Sequence, residues 1–475
     1  MKTWLGIDIG TSSAKAVLID GRGRVLRRGM HPYPIRRASD GTAEQQPNLY
    51  LVAVRALAAR VADGNVAGIG IVGQTPTLVC VDAAGCSIGP ALTWQDTRPF
   101  AEAAEMAERF GDSEPLIGTS LAWAPANLPA KSLWLARNRP SIVPRTRWLM
   151  QPKDFITLRL TGVAASDAWS SKGFCNVRTG DPVEPILEIG GWRVDQVPPI
   201  YSAWAAVGAV NAGGVWSGLP VGTPVAVGWS DALAGMLALG VFRRPTGFVL
   251  TGSSDIVGAS VSSVATKTAP LFEVPISCAP MPVVYGPTQA SGASIDWLAG
   301  ILGTSARQTL ALAARSSPDR PTFVPYIAGE RAPVWRTDVA GAFLGLRLGH
   351  GPAELAAAVL DGITGSNRHV LDTVVEVTGT PVKDVVMGQA NLGPGGAAAR
   401  AAGLGRRVAI APEPQLSAFG GAILAAAMSD GPDEAARRLG PKPAPIVPSP
   451  DAVRAAEARS DRYLRAVEVS LQWGN

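Results

Sequence analysis

The sequence predicts an α/β fold made of two similar halves, and three observations carry that expectation. The first is a short Gly/Ser/Thr turn between apolar strands, present once in each half. Near the N-terminus the chain runs Gly6-Ile7-Asp8-Ile9-Gly10-Thr11-Ser12-Ser13-Ala14-Lys15 into an apolar stretch at 16–19, and later it runs Gly247-Phe248-Val249-Leu250-Thr251-Gly252-Ser253-Ser254-Asp255 into Ile256-Val257. The second is the alternation of strand and helix signals around each turn, which points to α/β layers. The third is length, because 475 residues exceed what one hydrophobic core commonly serves.

Residues 4–9, 16–19 and 24–30 read as a meander with Asp20-Gly21 as a hairpin turn. A helix at 48–61, strands at 66–72 and 78–81, and a helix at 100–109 follow. The Pro/Gly-dense stretch 213–224 precedes a strand at 224–227 and an Ala/Leu-rich helix ending near Gly240. Phe242-Arg243-Arg244-Pro245 punctuates the chain before the second turn, so the domains are expected at 1–243 and 244–475. The second half repeats the strand–turn–strand opening and adds helices at 293–302, 352–377 and 417–427. A proline-rich stretch, 441–450, reads as a connector to a final amphipathic helix at 451–469.

Composition excludes several classes of function. Hydrophobic residues make up 47% and charged ones 17%, a profile that leaves little room for disorder. The net charge of +5 is spread without basic runs or interleaved aromatics, which argues against nucleic-acid binding. Four cysteines without CxxC spacing and only three histidines argue against a zinc site or a disulfide framework, and buried free thiols are expected. Asp8 lies where a signal peptide needs an apolar core, and the uncharged stretch 232–242 is too short to span a bilayer. A cytoplasmic protein without a membrane partner is therefore expected.

A glycine lets the backbone turn its N–H groups outward, and flanking hydroxyls add donors, so each turn suits phosphate oxygens. Neither GxxxxGK[ST] nor a strand-following GxGxxG occurs, which removes the main support for P-loop and Rossmann readings. Two phosphate turns on duplicated α/β halves are instead similar to the actin-like (ribonuclease H-like) ATPase fold, two domains facing across a cleft. Asp8, at the end of the first strand, can hold Mg²⁺ against phosphates or serve as a turn-stabilising Asx residue. Thr11, Ser12 and Ser13 would donate to phosphate oxygens, with Lys15 as a charge partner. Asp231 sits between an apolar strand and an apolar helix. There it can cap the helix, or accept a proton from a substrate hydroxyl attacking a γ-phosphorus, and the residues alone support both roles.

An ordered set of motifs resembles the FGGY carbohydrate kinases, most closely the xylulokinase-like members. In the first half these are Asp8-Ile9-Gly10-Thr11-Ser12-Ser13-Ala14-Lys15, Ala43-Glu44-Gln45-Gln46-Pro47, Trp94-Gln95-Asp96-Thr97-Arg98, Lys131-Ser132-Leu133-Trp134-Leu135, Pro152-Lys153-Asp154-Phe155, Arg159-Leu160-Thr161-Gly162 and Ser230-Asp231-Ala232-Leu233-Ala234-Gly235. The second half adds Gly252-Ser253-Ser254, Tyr326-Ile327-Ala328-Gly329-Glu330-Arg331-Ala332-Pro333, Asp361-Gly362-Ile363 and Phe419-Gly420-Gly421-Ala422. The resemblance implies Mg²⁺-assisted transfer of the ATP γ-phosphate to a hydroxyl of a small sugar, foremost a pentulose such as xylulose. It makes the first domain sugar-binding and catalytic and the second nucleotide-binding. It implies Asp231 as catalytic base, Asp8 as the metal-linked aspartate, and Thr11, Ser12 and Ser13 as the first phosphate loop. Gly252, Ser253 and Ser254 become the second phosphate loop, and Gly292, Gly388 and Gln389 further nucleotide-binding residues. Gln74, Thr75, Trp94, Asp96 and Arg98 fall in segments lining the sugar pocket, with core packing the alternative for Trp94. A homodimer is left open.

Three departures from the family pattern stand out. The sugar-side segment reads Gly73-Gln74-Thr75-Pro76-Thr77, without the usual Met-His pair. The adenosine segment, Gly388-Gln389-Ala390-Asn391-Leu392-Gly393-Pro394-Gly395-Gly396, lacks the Trp, Gln and Asp that usually follow. Asp255 replaces a small residue after the second turn, where it would face the metal or repel phosphate. A kinase for a polyol such as glycerol, erythritol or ribitol, and a non-catalytic actin-fold ATP-binding protein, are the competing expectations.

Overall fold

The apolar runs flanking the first turn form the centre of a seven-stranded sheet. In the computed structural model, which describes residues 2–264, 267–388 and 393–473, strands β1 (Thr3–Ile9), β2 (Ser13–Asp20) and β3 (Val25–Pro32) form an antiparallel meander. Helix α1 (Pro47–Val61) turns Tyr50, Val54, Leu57 and Val61 into the core. The chain then returns as β4 (Val66–Gly73), parallel to β1. β5 (Ala206–Ala209) and β6 (Pro224–Ala226) complete the order β5-β6-β4-β1-β2-β3, and β7 (Trp229–Ser230) runs parallel to β4 and leads into helix α2 (Asp231–Leu239). β1 and β4 are almost wholly buried, so they read as continuous apolar runs, as strands covered on both faces do.

The second sheet has the same core order. β8 (Gly247–Leu250) and β9 (Ile256–Ser260) flank the second turn as an antiparallel pair. β10 (Phe272–Val274) and β11 (Val283–Pro287) follow, with β11 antiparallel to β9. Helix α3 (Gly292–Leu302) and the long helix α4 (Pro352–Thr378) precede β12 (Asp384–Met387), which is parallel to β8. Helix α5 (Gly393–Leu404) leads to β13 (Arg407–Ile410), parallel to β12. The order is β10-β11-β9-β8-β12-β13-β14, closed by β14 (Ala444–Ile446) before the final helix α6 (Pro450–Trp473). In both sheets an antiparallel trio is followed by two strands parallel to its first member.

The proline-rich stretch is therefore more than a connector, because β14 pairs antiparallel with β13 inside it. Pro445 is tolerated there because β14 is the sheet's edge strand, where a missing N–H breaks no inner ladder. Three of the four cysteines are buried and free as expected; Cys86 is free but exposed. Among the described residues no helix is long and apolar enough to cross a membrane.

The chain divides into two units, Met1–Arg243 with Val274–Pro280 and Gln415–Gly440, and Arg244–Glu273 with Met281–Pro414 and Pro441–Asn475. Two segments of the second half thus fold with the first unit. The larger carries the helix Leu416–Asp430, which lies on β1 and β4 at backbone contact. A Cβ on Gly6 would sit 1.9 Å from the Ala418 oxygen, one on Gly70 2.0 Å from the Gly421 oxygen, and one on Gly420 1.9 Å from the Ala234 oxygen of α2. The Phe419-Gly420-Gly421-Ala422 motif is thus a two-sided contact, with Gly421 against the sheet and Gly420 against α2.

Backbone cannot yield as a side-chain rotamer can, so Gly6→Ala should lower stability by about 3 kcal/mol or more. Gly300→Ala, in α3 with nothing near its added methyl, should instead gain about 1 kcal/mol from helix propensity. Urea unfolding midpoints of the two variants should move in opposite directions.

Candidate active site

Strand register brings the first unit's chemistry to one sheet edge. Ile9 pairs with Gly73 and Gly73 with Ser230, so β1, β4 and β7 end level with one another. Asp8 and the Gly10–Ser13 turn, Gln74, and Asp231 therefore emerge together at the carboxyl ends of parallel strands, the usual ligand edge of an α/β sheet. Asp231 is the first residue of α2, and Ser230 is the N-cap, its hydroxyl accepting from the Leu233 N–H at 3.3 Å. The capping role open to Asp231 in the sequence thus belongs to Ser230. Asp231 accepts from the N–H of its neighbour Ala232 (2.8 Å) and is partly accessible.

The two carboxylates share an unfavourable environment. Burial raises the Asp8 pKa to about 7, with the negative charge of Asp231 adding to the rise and Lys15, its cross-strand partner, opposing it. Burial raises Asp231 to about 6, against the Ala232 N–H and the charges of Lys15 and Lys172. Asp8 Oδ1 is buried with no hydrogen-bond partner. Lys172, which no motif marked, is itself buried and pushed down to about 8 by desolvation. Its ammonium lies over the Trp169 ring at 4.7 Å and donates to the Trp169 carbonyl.

The first turn is braced from behind by donors. Tyr33 donates to the Gly10 carbonyl (2.5 Å), as does Gln74 Nε2 (3.2 Å), and Gln45 Nε2 donates to the Thr11 carbonyl (2.5 Å). Trp94 Nε1 donates to the Thr11 hydroxyl oxygen at 2.9 Å. With these acceptors engaged, what the turn retains for a ligand are donors. Gln74 is buried with an unpartnered Oε1, while Thr75 is half-buried and followed by Pro76, whose carbonyl accepts from the buried Lys131 (2.7 Å). Asp96 is fully buried and binds Arg98 and the Ala43 N–H; Arg98 also binds Glu44 and stacks on Trp134 at 4.2 Å. Trp94, two residues before Asp96, is half-buried.

The second turn is held differently. Its carbonyls face the start of α3, with Gly252 accepting from Gly292 (3.1 Å) and Ser253 from Ser291 and Ala293 (3.0 Å each). Gly292 has to be glycine, since a Cβ would lie 2.6 Å from the Gly252 oxygen. Gly388 directly follows β12, its N–H on the Val249 carbonyl of β8 at 2.9 Å; Gln389 lies outside the described residues. Asp255 is neither metal-facing nor uncompensated. Oδ1 accepts from the Gly252 N–H (3.1 Å), and Oδ2 from Asn367 Nδ2 (2.8 Å) and from Arg400 (3.0 Å), all deep in the unit.

In the metal-free protein, ionising Asp8 costs stability. Its folded pKa is raised, so stability is full below about pH 4 and declines as pH climbs towards 7. Asp8→Asn should therefore melt higher than the parent at pH 8 in EDTA, and the gap should close at pH 4.

Comparison with known proteins accords with this arrangement. The N-terminal domain of the FGGY family of carbohydrate kinases matches residues 3–238 and the C-terminal domain residues 247–429. A xylulose kinase of Lactococcus lactis is 29% identical over 401 residues, covering 80% of this chain and 79% of its own. One from Staphylococcus epidermidis is 30% identical over 379 residues, covering 76% and 75%. The crystal structure of a xyloylose kinase from Brucella ovis superposes with a TM-score of 0.88 at 25% identity, covering 100% of both chains. The duplicated sheets are those of the actin-like ATPase fold, and the chain belongs to the FGGY family of carbohydrate kinases, enzymes that transfer phosphate from ATP.

Proposed function

We propose that the protein phosphorylates a pentulose, xylulose foremost, with Asp231 as the general base. The observation that carries the assignment of roles is the pair Asp8 and Asp231 at one sheet edge beside a turn whose free groups are donors. A carboxylate raised to about 6 is ionised at neutral pH yet basic enough to accept a proton from an attacking hydroxyl. As the acceptor oxygen bonds to the γ-phosphorus, its proton passes to Asp231 and the bond to the bridging oxygen of ADP breaks. Thr11, Ser12 and Ser13 donate to the transferring phosphoryl oxygens, and Lys15 balances their charge. Gly252, Ser253 and Ser254, with Gly292 and Gly388, serve the nucleotide's phosphates.

Asp8 fits a divalent cation: its oxygens are hard donors, and Oδ1 is buried without a partner. Among the described residues no group of three or more His, Cys, Asp or Glu could hold a metal, so Asp8 would share Mg²⁺ with phosphate oxygens. Bound there, Mg²⁺ supplies charge neutralisation along the triphosphate. Trp94 offers its ring to the sugar's carbon skeleton and Gln74 Oε1 and Thr75 offer polar groups, while Asp96 and Arg98 hold the Trp94 turn in place. The xylulose kinases among the relatives support a pentulose acceptor. The Thr75-Pro76 pair supports a polyol as the second reading, since it supplies no imidazole to the acceptor.

Asp231→Asn should cut acceptor-dependent ADP release by about 10³-fold while leaving ADP binding within twofold; retained turnover would remove Asp231 from the chemistry. In the parent enzyme, kcat/KM should fall about tenfold per pH unit below about pH 6, as the base is protonated. A panel of pentuloses, hexuloses and polyols assayed with ATP and Mg²⁺ decides the acceptor.

A further inference from the structure

The second turn is bound to its unit through a charge that belongs to this chain rather than to the motif around it. Asp255 is 1% exposed and Arg400 5% exposed, and each is the other's ion-pair partner at 3.0 Å. Asp255 Oδ1 pins the Gly252 N–H, so the carboxylate reaches the turn itself. Its backbone is fixed as well, its N–H donating to Thr288 Oγ1 (3.0 Å) and its carbonyl accepting from the Thr288 N–H (2.9 Å). Thr288 in turn bonds Ser291 at the start of α3, whose first amides hold the turn's carbonyls. Asn367 of α4 and Arg400 of α5 thus meet the turn at one atom, Asp255 Oδ2.

α5 follows directly on the stretch opened by Gly388, just after β12. A shift of α5 would carry Arg400 with it, and through Asp255 would reorient the N–H groups of Gly252–Ser254. Among the described residues, Arg400 Nε and Asn367 Oδ1 are buried without partners, so Asp255 Oδ2 is the polar contact that each of these two side chains makes with the turn.

We infer that the Asp255 carboxyl, seated by Arg400 and Asn367, is a positioning strut whose oxygen on the Gly252 N–H sets the orientation of the second turn and hence the affinity for nucleotide. This rests on the reading of that turn as a nucleotide phosphate site. Asp255 and Arg400 are buried and act on the turn through the Gly252 amide.

Removing one charge alone strands the other in the interior and risks unfolding, so the test uses two charge-neutral double variants of the full-length protein. D255N/R400M keeps an oxygen for the Gly252 N–H, and D255A/R400M does not. ADP affinity, measured by calorimetry with Mg²⁺, should stay within threefold of the parent in D255N/R400M and weaken tenfold or more in D255A/R400M. Melting temperatures of the two should agree within a few degrees, and acceptor KM should change less than twofold in both. Parent-like ADP affinity in folded D255A/R400M overturns the strut, as does equal weakening in both variants. A parent protein that binds no ADP overturns instead the nucleotide reading beneath it.

Discussion

Everything at the first unit's sheet edge depends on one backbone-on-backbone contact, the seating of the helix Leu416–Asp430 on β1 and β4. Gly6, Gly70 and Gly421 remove the side chains that would keep helix and sheet apart, and Gly420 does the same towards α2. Such a contact has no rotamer freedom, so it fixes spacing more tightly than interdigitated side chains would. It holds the strand that ends beside Asp8 and the helix that begins with Asp231 against a common third body. The separation of two carboxylates that repel each other is thereby imposed from outside the pair. The segment that imposes it lies some four hundred residues downstream in sequence from β1.

The two units use one strand order for opposite electrostatic ends. At the first edge, Asp8 is buried with an unpaired oxygen and a raised pKa, a state that folding alone does not favour. At the second edge, the buried carboxylate of Asp255 has every oxygen engaged and a guanidinium beside it. An uncompensated carboxylate is useful where a cation or a proton has to arrive, and harmful where the only task is to hold a loop still. The contrast separates the place where chemistry is expected from the place where binding is.

Much of this was legible in the sequence because it was local. The two turns, the strands beside them, and the helices 352–377 and 417–427 announce themselves through apolar periodicity and punctuation, and the observed elements differ from those expectations by a few residues. Pairwise partners over long separations were not legible. Nothing near Asp255 foretells Arg400, and nothing near Gly10 foretells Tyr33 or Gln45, although Gln45 lay in a motif whose role was open. Ser230 took the cap from Asp231 because a hydroxyl one residue earlier reaches the Leu233 N–H, a choice of a single position that composition does not decide. Lys172 sits in an irregular stretch without periodicity, where a buried charge leaves no pattern. β14 was hidden by Pro445 and the prolines around it, which argue against an inner strand but permit an edge one.

The turns themselves show how a loop of hydroxyls and carbonyls, equally able to bind cations or anions, is made to favour anions. A peptide turn carries as many acceptors as donors, so glycine and serine alone do not fix its preference. In the first unit the acceptors are engaged by side chains: Tyr33, Gln45 and Gln74 take the carbonyls, and the Trp94 indole takes the Thr11 oxygen, which leaves that hydroxyl's proton to donate elsewhere. In the second unit the acceptors are consumed by backbone, the opening amides of α3 closing on Gly252 and Ser253. Side-chain bracing ties the first turn to Trp94 and Gln74, the residues proposed to meet the acceptor, so a change in either would also disturb the turn. Backbone bracing asks of the start of α3 only that Gly292 carry no side chain, and adjustment of the second turn falls to Asp255. The same polarity is thus reached twice by different means, and the means determine which residues each turn answers to.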